Sequence, residues 1–297
     1  MDRGVFVTGN CHTAGVGAVL RTVLREARPE LTVSCAAIPK FGSDDEELAF
    51  LHKISETADV VVSTADMKIT QNSNFEKLGL RLVTYPPILF TAFHPDFTHL
   101  YRRSSRETVN PGYNSSIIAW CYLNHVDPKD AIRLFNENVF KRLGYFDRWN
   151  RSAKALSERF VKNGMNFDRF FLRVKRTGVF MHTMNHPGLV ATQALTKEIG
   201  AKLGLSPALF DVPMYIPDFL AGMDWPVYPE IGDRLSVAGR YLWRVGQKMM
   251  TLGEYIEFSY GNYRRVGFNK DDCAFTGQDA FPETLDKVLG SQLGVSH

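Results

Sequence analysis

The sequence predicts an α/β protein, built on a parallel sheet with covering helices and carrying a helical insertion, and three observations predict it. Over the first hundred residues, β-branched runs such as "GVFVTG", "LTVSCAAI" and "DVVVST" alternate with segments of helical spacing; this alternation makes successive strands parallel, with helices crossing between them. Beyond residue 110 the strand signals give way to three helical patterns in succession. A hydrophobic content of 44% with 12% aromatic residues over 297 residues supports a large core, as one domain or as a domain with an appended subdomain.

Taken in order, "GVFVTG" reads as the first strand and Val16 to Ala27 as the first helix. "LTVSCAAI" is the second strand, and "SDDEELAFLHKISETA" opens with the acidic cap and first turn that suit a helix N-terminus. "DVVVST" is a buried strand, and "LRLVTYPP" is another, stopped by Pro86-Pro87. "NSSIIAWCYLNHV", "DPKDAIRLFNENVFKRL" and "NRSAKALSERFVKNG" follow as three helices, the middle one capped by Asp127 with Pro128 in its first position. "FFLRVKRTGVFMHTMNHPG" returns to the core, and "LVATQALTKEIGAKLG" is a further helix. The expected organisation is therefore residues 1–110 as the first part of the core, 111–165 as the helical insertion, 166–205 as the return to the core, and 206–297 as an unassigned extension.

Composition narrows the function classes. A formal charge of +3 is small for this length, so no nucleic-acid partner is implied, although local basic clusters can meet a phosphorylated small molecule. No leader pattern and no run of about 18 apolar residues is found, so the expectation is a cytoplasmic chain without a transmembrane segment. The four cysteines, Cys11, Cys35, Cys121 and Cys273, form no C-x-x-C pair, which argues against a zinc knuckle or a disulfide framework.

Ligands of an open parallel sheet gather beyond the carboxyl ends of its strands, where "GNCHTAG" falls. Gly9 permits a tight turn, Asn10 offers an amide, and Cys11, followed by His12, stands near the N-terminus of a helix whose dipole favours a thiolate. Cys11 is then either a nucleophile with a depressed pKa or a small packed side chain. The spacing does not match a dinucleotide-binding glycine loop. In "FHPDFTHLYRRSSR", His94, Asp96 and His99 crowd a loop, with Arg102, Arg103 and Arg106 behind them as a phosphate clamp or a solvated face. "NPGYNSS" puts Tyr113, Asn114 and Ser115 at a helix N-terminus, a natural anion site. In "FMHTMNHPG", His182 and His186 bracket Asn185. Thr183 stands where a zinc protease carries its glutamate and Pro187 breaks the helix, so no metal is expected. A histidine acting as general base fits better, beside the alternative of a hydrogen-bonded core histidine.

Together, "GNCHTAG", "FHPDFTHLY", "YNSSIIAWCYL" and "FMHTMNHP" resemble the WcbI-type capsular polysaccharide biosynthesis proteins over roughly Val5 to Leu203. The resemblance implies binding of coenzyme A or acetyl-CoA without a metal, and transfer of an acetyl group to a sugar hydroxyl. It implies Cys11, His94, Asp96, His182, Asn185 and His186 as site residues; His12 departs from the glutamine common in that family. A looser likeness to SGNH hydrolases places Cys11 at their nucleophile position in the first strand-to-helix turn, but no D-x-x-H precedes either late histidine. The expected catalytic residues are Cys11, His182 and His186. The expected cofactor-binding residues are Gly9, Asn10, His12, His94, Asp96, Arg102, Arg103, Arg106, Tyr113, Asn114, Ser115 and Asn185. The expected partners are a small-molecule thioester and a carbohydrate acceptor, with a homo-oligomer left open. The alternatives are a thioesterase or esterase with a Cys-His site, and a non-catalytic or sulfotransferase-like carbohydrate-related binding protein.

Overall fold

The computed structural model describes residues 3–71, 74–109, 113–276 and 282–293. The chain begins with β1 (Gly4–Gly9), α1 (Thr13–Ala27), β2 (Thr32–Ala37), α2 (Asp44–Ser55), β3 (Val60–Thr64), α3 (Asn74–Lys77) and β4 (Arg81–Tyr85). It continues with β5 (Phe97–Arg102), β6 (Asn114–Ser115), α4 (Ser116–Leu123), α5 (Pro128–Ala131), α6 (Glu137–Arg142), α7 (Arg148–Lys162) and α8 (Phe167–Lys175). Then come β7 (Met181–Thr183), β8 (His186–Pro187), α9 (Leu189–Lys202), β9 (Met223–Asp224) and α10 (Pro229–Leu235). The last part holds β10 (Leu242–Val245), β11 (Lys248–Thr251), α11 (Leu252–Arg265) and β12 (Cys273–Thr276). The chain divides into two compact units, residues 1–89 with 154–221 and residues 90–153 with 222–297. No helix among the described residues is long and apolar enough to cross a membrane.

The first unit holds a four-stranded parallel sheet in the order β2-β1-β3-β4. Every residue of β3 is buried, as expected of an inner strand covered on both faces. β2, at the edge, is mostly exposed. The apolar stripe Val16, Val19, Leu20, Val23 and Leu24 of α1 is buried, at the spacing that puts these residues on one helix face. Ser43 caps α2 through the Glu46 amide, ahead of the acidic first turn. Leu51 and Ile54 of α2 pack with Val61, Phe75 and Leu80. Strand order reverses at β1: α1 leads to β2 on one side, and α2 carries the chain back to β3 on the other. The loops leaving β1 and β3 therefore diverge at their carboxyl ends, which is where such sheets hold ligands.

The second unit is built on antiparallel pairings, β12-β5-β6 and β11-β10-β9. Its core is aromatic: Trp243 stacks on Tyr255 with centroids 4.7 Å apart, and Trp225 meets Phe97 at 5.3 Å.

The structure departs from the sequence reading at several points. The segment from Phe97 to Arg102, read as loop, is strand β5, and its partner is β12 from near the end of the chain. Residues 90–153 consequently belong with the C-terminal residues 222–297, and the chain crosses between units after 89, 153 and 221 rather than at the expected boundaries of 110, 165 and 205. The expected helix of 127–143 is broken: Asp127 caps α5, and Asn136 stops that run by capping α6 through the Val139 amide. "FFLRV", read as part of the return to the core, is helix α8, and only after it does the short β7–β8 hairpin form.

Candidate functional site

The first turn is set by hydrogen bonds within its own sequence. Gly9 has a φ of +136°, and a Cβ there would stand 2.1 Å from Thr64 Oγ1 at the end of β3, so only glycine lets the two strand ends pass. The Asn10 amide donates to Thr64 Oγ1 (3.2 Å), and Asn10 Oδ1 accepts from the His12 amide (3.0 Å). The Asn10 carbonyl accepts from both the amide and the hydroxyl of Thr13. Cys11 is left exposed at the apex, beside the diverging end of β3.

The Cys11 thiol does not have the depressed pKa expected from its place before α1. Loss of hydration pushes it up and the Asp66 carboxylate adds to that, while the backbone amides of Cys11 and His12 pull it down by less. The helix-terminus effect is therefore present but outweighed.

His12 is 2% exposed, and its Nε2–H donates to the Asn185 carbonyl at 3.1 Å. Nδ1 then carries the lone pair, and it is buried without a partner among the described residues. Burial pushes the His12 pKa down, with the Asn185 carbonyl opposing. The unfolded chain takes up this proton near pH 6.5, roughly the ordinary histidine value, and the folded chain only at lower pH. Stability is thus fully present above about 6.5 and declines as pH falls toward the lower folded value. His12→Gln keeps a donor for Asn185 and cannot titrate. Melting temperatures recorded from about pH 8 to 5 are expected to fall more steeply for the wild type than for this variant; parallel curves would refute the assignment.

The β7–β8 hairpin brings in the late histidines. His182 Nε2–H donates to Asp218 Oδ2 at 2.8 Å. The same oxygen accepts from the Leu189 amide at the start of α9 (3.0 Å), and Oδ1 accepts from the Leu220 amide (3.2 Å). Burial alone would raise the Asp218 pKa, but the hydrogen bond and charge of His182, with the two amides, together bring it below the usual carboxylate range. Asn185 Oδ1 accepts from Thr183 Oγ1 at 2.9 Å, while its carbonyl holds His12, so the hairpin is fastened to the first turn. His186 is half-buried and lies opposite Thr183 in the hairpin register. Of the two histidines, His182 is the one oriented by Asp218, which lies 36 residues downstream.

The residues of "FHPDFTHLYRRSSR" and "YNSS" belong to the second unit, and several of them do other work than the sequence suggested. Asp96 is 0% exposed. It accepts from the Ser116 hydroxyl (2.8 Å), the Ile117 amide (3.1 Å), Tyr145 OH (3.1 Å) and Tyr228 OH (2.7 Å). The anion expected at the N-terminus of α4 is therefore the chain's own buried carboxylate. Burial raises the Asp96 pKa, with the hydroxyls and the Ile117 amide opposing. Ser115 caps α4 through the Ile118 amide, and Asn114 donates to the Val109 carbonyl; both are fully buried, so neither is presented to a ligand. His94 is likewise buried. Tyr113 packs its ring on Phe97 and His99.

Of the three arginines expected to clamp phosphate, Arg102 is already engaged within the chain. Arg102 pairs with Asp272 at 3.1 Å and lies 3.9 Å from Glu107. Arg103 borders a cleft of about 760 Å³ with Trp120, Lys270, Cys273 and Asp286, and Arg106 sits in a left-handed turn. The pairing of β5 with β12 places Asp272 beside Arg102 and so neutralises it.

Two participants, Asp218 and Asp66, escaped the sequence reading. Asp66 lies two residues past the end of the buried strand β3, and the rule that singled out Gly9 to His12 applies there equally. Asp218 lies in an aperiodic stretch, with no local signal. Among the described residues no group of three or more His, Cys, Asp or Glu side chains is placed to hold a metal ion.

A family model described as "Polysaccharide biosynthesis enzyme WcbI" matches residues 4–208. No curated protein matches the chain. Among solved structures, it is similar to one of WcbI, described as a novel polysaccharide biosynthesis enzyme, in a native form without a disulfide bond between coenzyme A and a cysteine of that protein. The TM-score is 0.69 at 14% identity, covering 99% of this chain and 97% of that one. The chain thus shares that fold over nearly its whole length, and the match to 4–208 establishes its lineage: it belongs to the WcbI family of polysaccharide biosynthesis enzymes.

Proposed function

We propose that this chain binds coenzyme A or its acetyl thioester at the Gly9–His12 turn and transfers the acetyl group to a sugar hydroxyl. The observation that carries the reading is the pairing of His182 with Asp218 on a hairpin fastened through Asn185 to the turn that exposes Cys11. Support comes from the family, and from the coenzyme A named with the similar WcbI structure.

With Nε2–H donated to Asp218, the lone pair of His182 is on Nδ1, which accepts the proton of the sugar hydroxyl. The hydroxyl oxygen attacks the thioester carbonyl, the carbon–sulfur bond breaks, and the departing thiolate takes the proton back. The negative Asp218 stabilises the imidazolium formed in between. Cys11 lines the thioester position and remains a thiol at neutral pH, consistent with its raised pKa. His186 and Asn185 shape the hairpin side, while Gly9, Asn10 and His12 form the other side.

Cys11 is expected to be alkylated more slowly at neutral pH than an unshifted thiol, because its thiolate fraction is smaller, and to be protected by coenzyme A. Acetyl-CoA with a saccharide panel is expected to release thiol in proportion to acetyl ester formed. Thiol release without any saccharide would make the chain a thioesterase. The absence of both binding heat with coenzyme A and protection of Cys11 would overturn the proposal.

A further inference from the structure

Helix α8 carries Arg169 and Arg173, and Arg176 follows directly past its end while the backbone is still helical. The i, i+4, i+7 spacing puts the three guanidiniums on one face. That face and Lys197 of α9 border a cleft of about 400 Å³ within the first unit, closed by Glu198 and Asp211.

The cations are held in position. Arg169 makes a two-pronged bond to Glu198, at 2.6 and 2.7 Å, and the Glu198 side chain is only 2% exposed. Asp211 is shared between Arg173 at 2.6 Å and Lys197 at 2.5 Å. Among the described residues, Arg176 is in no ion pair. Four cations thus face two carboxylates, leaving an excess of two positive charges around a concave surface.

A helix C-terminus favours positive side chains, which accounts for the sign of Arg173 and Arg176. Asp211 accounts for the approach of Arg173 to Lys197, but neither lining carboxylate answers Arg176, and the excess positive charge of the cleft is of the sign that an anion would balance.

We propose that this cleft is a binding site for a phosphate-bearing small molecule, with Arg176 as the principal unneutralised contact and Arg169 and Arg173 as oriented donors. Arginine forks match phosphate oxygens in pairs, and a cleft of this volume is at the small end of ligand sites, with room for a phosphate and the ring that bears it. The phosphate can come from a phosphorylated sugar or from the coenzyme. The inference goes beyond the acetyl-transfer reading and does not rest on it.

The test is calorimetric titration of the whole chain and of Arg176→Ala with pyrophosphate, glucose 1-phosphate and coenzyme A. Arg176 is exposed and unpaired, so the variant is expected to melt as the wild type does without ligand. At least one of the three ligands is expected to lose about tenfold in affinity, with partial recovery in Arg176→Lys. A loss confined to pyrophosphate and glucose 1-phosphate identifies a phosphorylated saccharide; a loss that includes coenzyme A identifies the coenzyme's own phosphates. If no ligand changes affinity in Arg176→Ala, the proposal is overturned.

Discussion

Replacing His182 by alanine is expected to lower acetyl transfer by about 10²–10⁴-fold, the usual contribution of a positioned general base, with coenzyme A affinity nearly unchanged. The side chain acts on the acceptor's proton, so its loss appears in turnover rather than in coenzyme binding. Asp218→Asn tests the same arrangement from the other side. Its amide nitrogen or oxygen must meet three N–H donors, those of His182, Leu189 and Leu220, so one donor loses its acceptor or the imidazole changes tautomer. The expected result is a turnover loss approaching that of His182→Ala, because Nδ1 is no longer held as the base. Steady-state transfer assays beside coenzyme A titrations separate the two effects; wild-type turnover in both variants would remove the dyad from the mechanism.

Asp96→Ala is expected to cost stability instead, by about 3–5 kcal/mol. Removing this carboxylate leaves the Ser116, Tyr145 and Tyr228 hydroxyls and the Ile117 amide without their common acceptor in a fully buried place. A deeply buried donor without an acceptor bears its whole desolvation penalty. Urea unfolding measures the loss, and coenzyme A affinity of the folded protein is expected to stay unchanged. A cost below about 1 kcal/mol, the scale of an ordinary surface substitution, together with weakened coenzyme binding, would return Asp96 to a ligand-contacting role.

Much of the first unit was legible from local signals, because those signals act over a few residues. The β-branched runs became β1 to β4, Ser43 and Asp127 became helix caps, and Gly9 closed a turn that its neighbours could not. The prominence of "GNCHTAG" followed from the same local logic: the carboxyl end of a buried strand before a helix is a ligand position in a parallel sheet.

Apart from the local break at Asn136 and the helix α8, the departures involve partners distant in sequence. Local spacing cannot show that β12 would pair with β5, so neither Asp272 beside Arg102 nor the burial of Asp96 under Tyr145 and Tyr228 could be read from "FHPDFTHLYRRSSR". The Asp218 partner of His182 lies 36 residues away, and only the folded chain brings it to the start of α9. For Cys11, position before a helix determined one contribution to its pKa, but desolvation and Asp66 depend on what surrounds the thiol in three dimensions. By itself the sequence determined which residues could form turns, caps and strands, through steric and hydrogen-bonding preferences acting over a few bonds. Which charges are neutralised, which are buried and which histidine is oriented was decided by the tertiary structure alone, because Coulomb and desolvation energies depend on distances through space rather than along the chain.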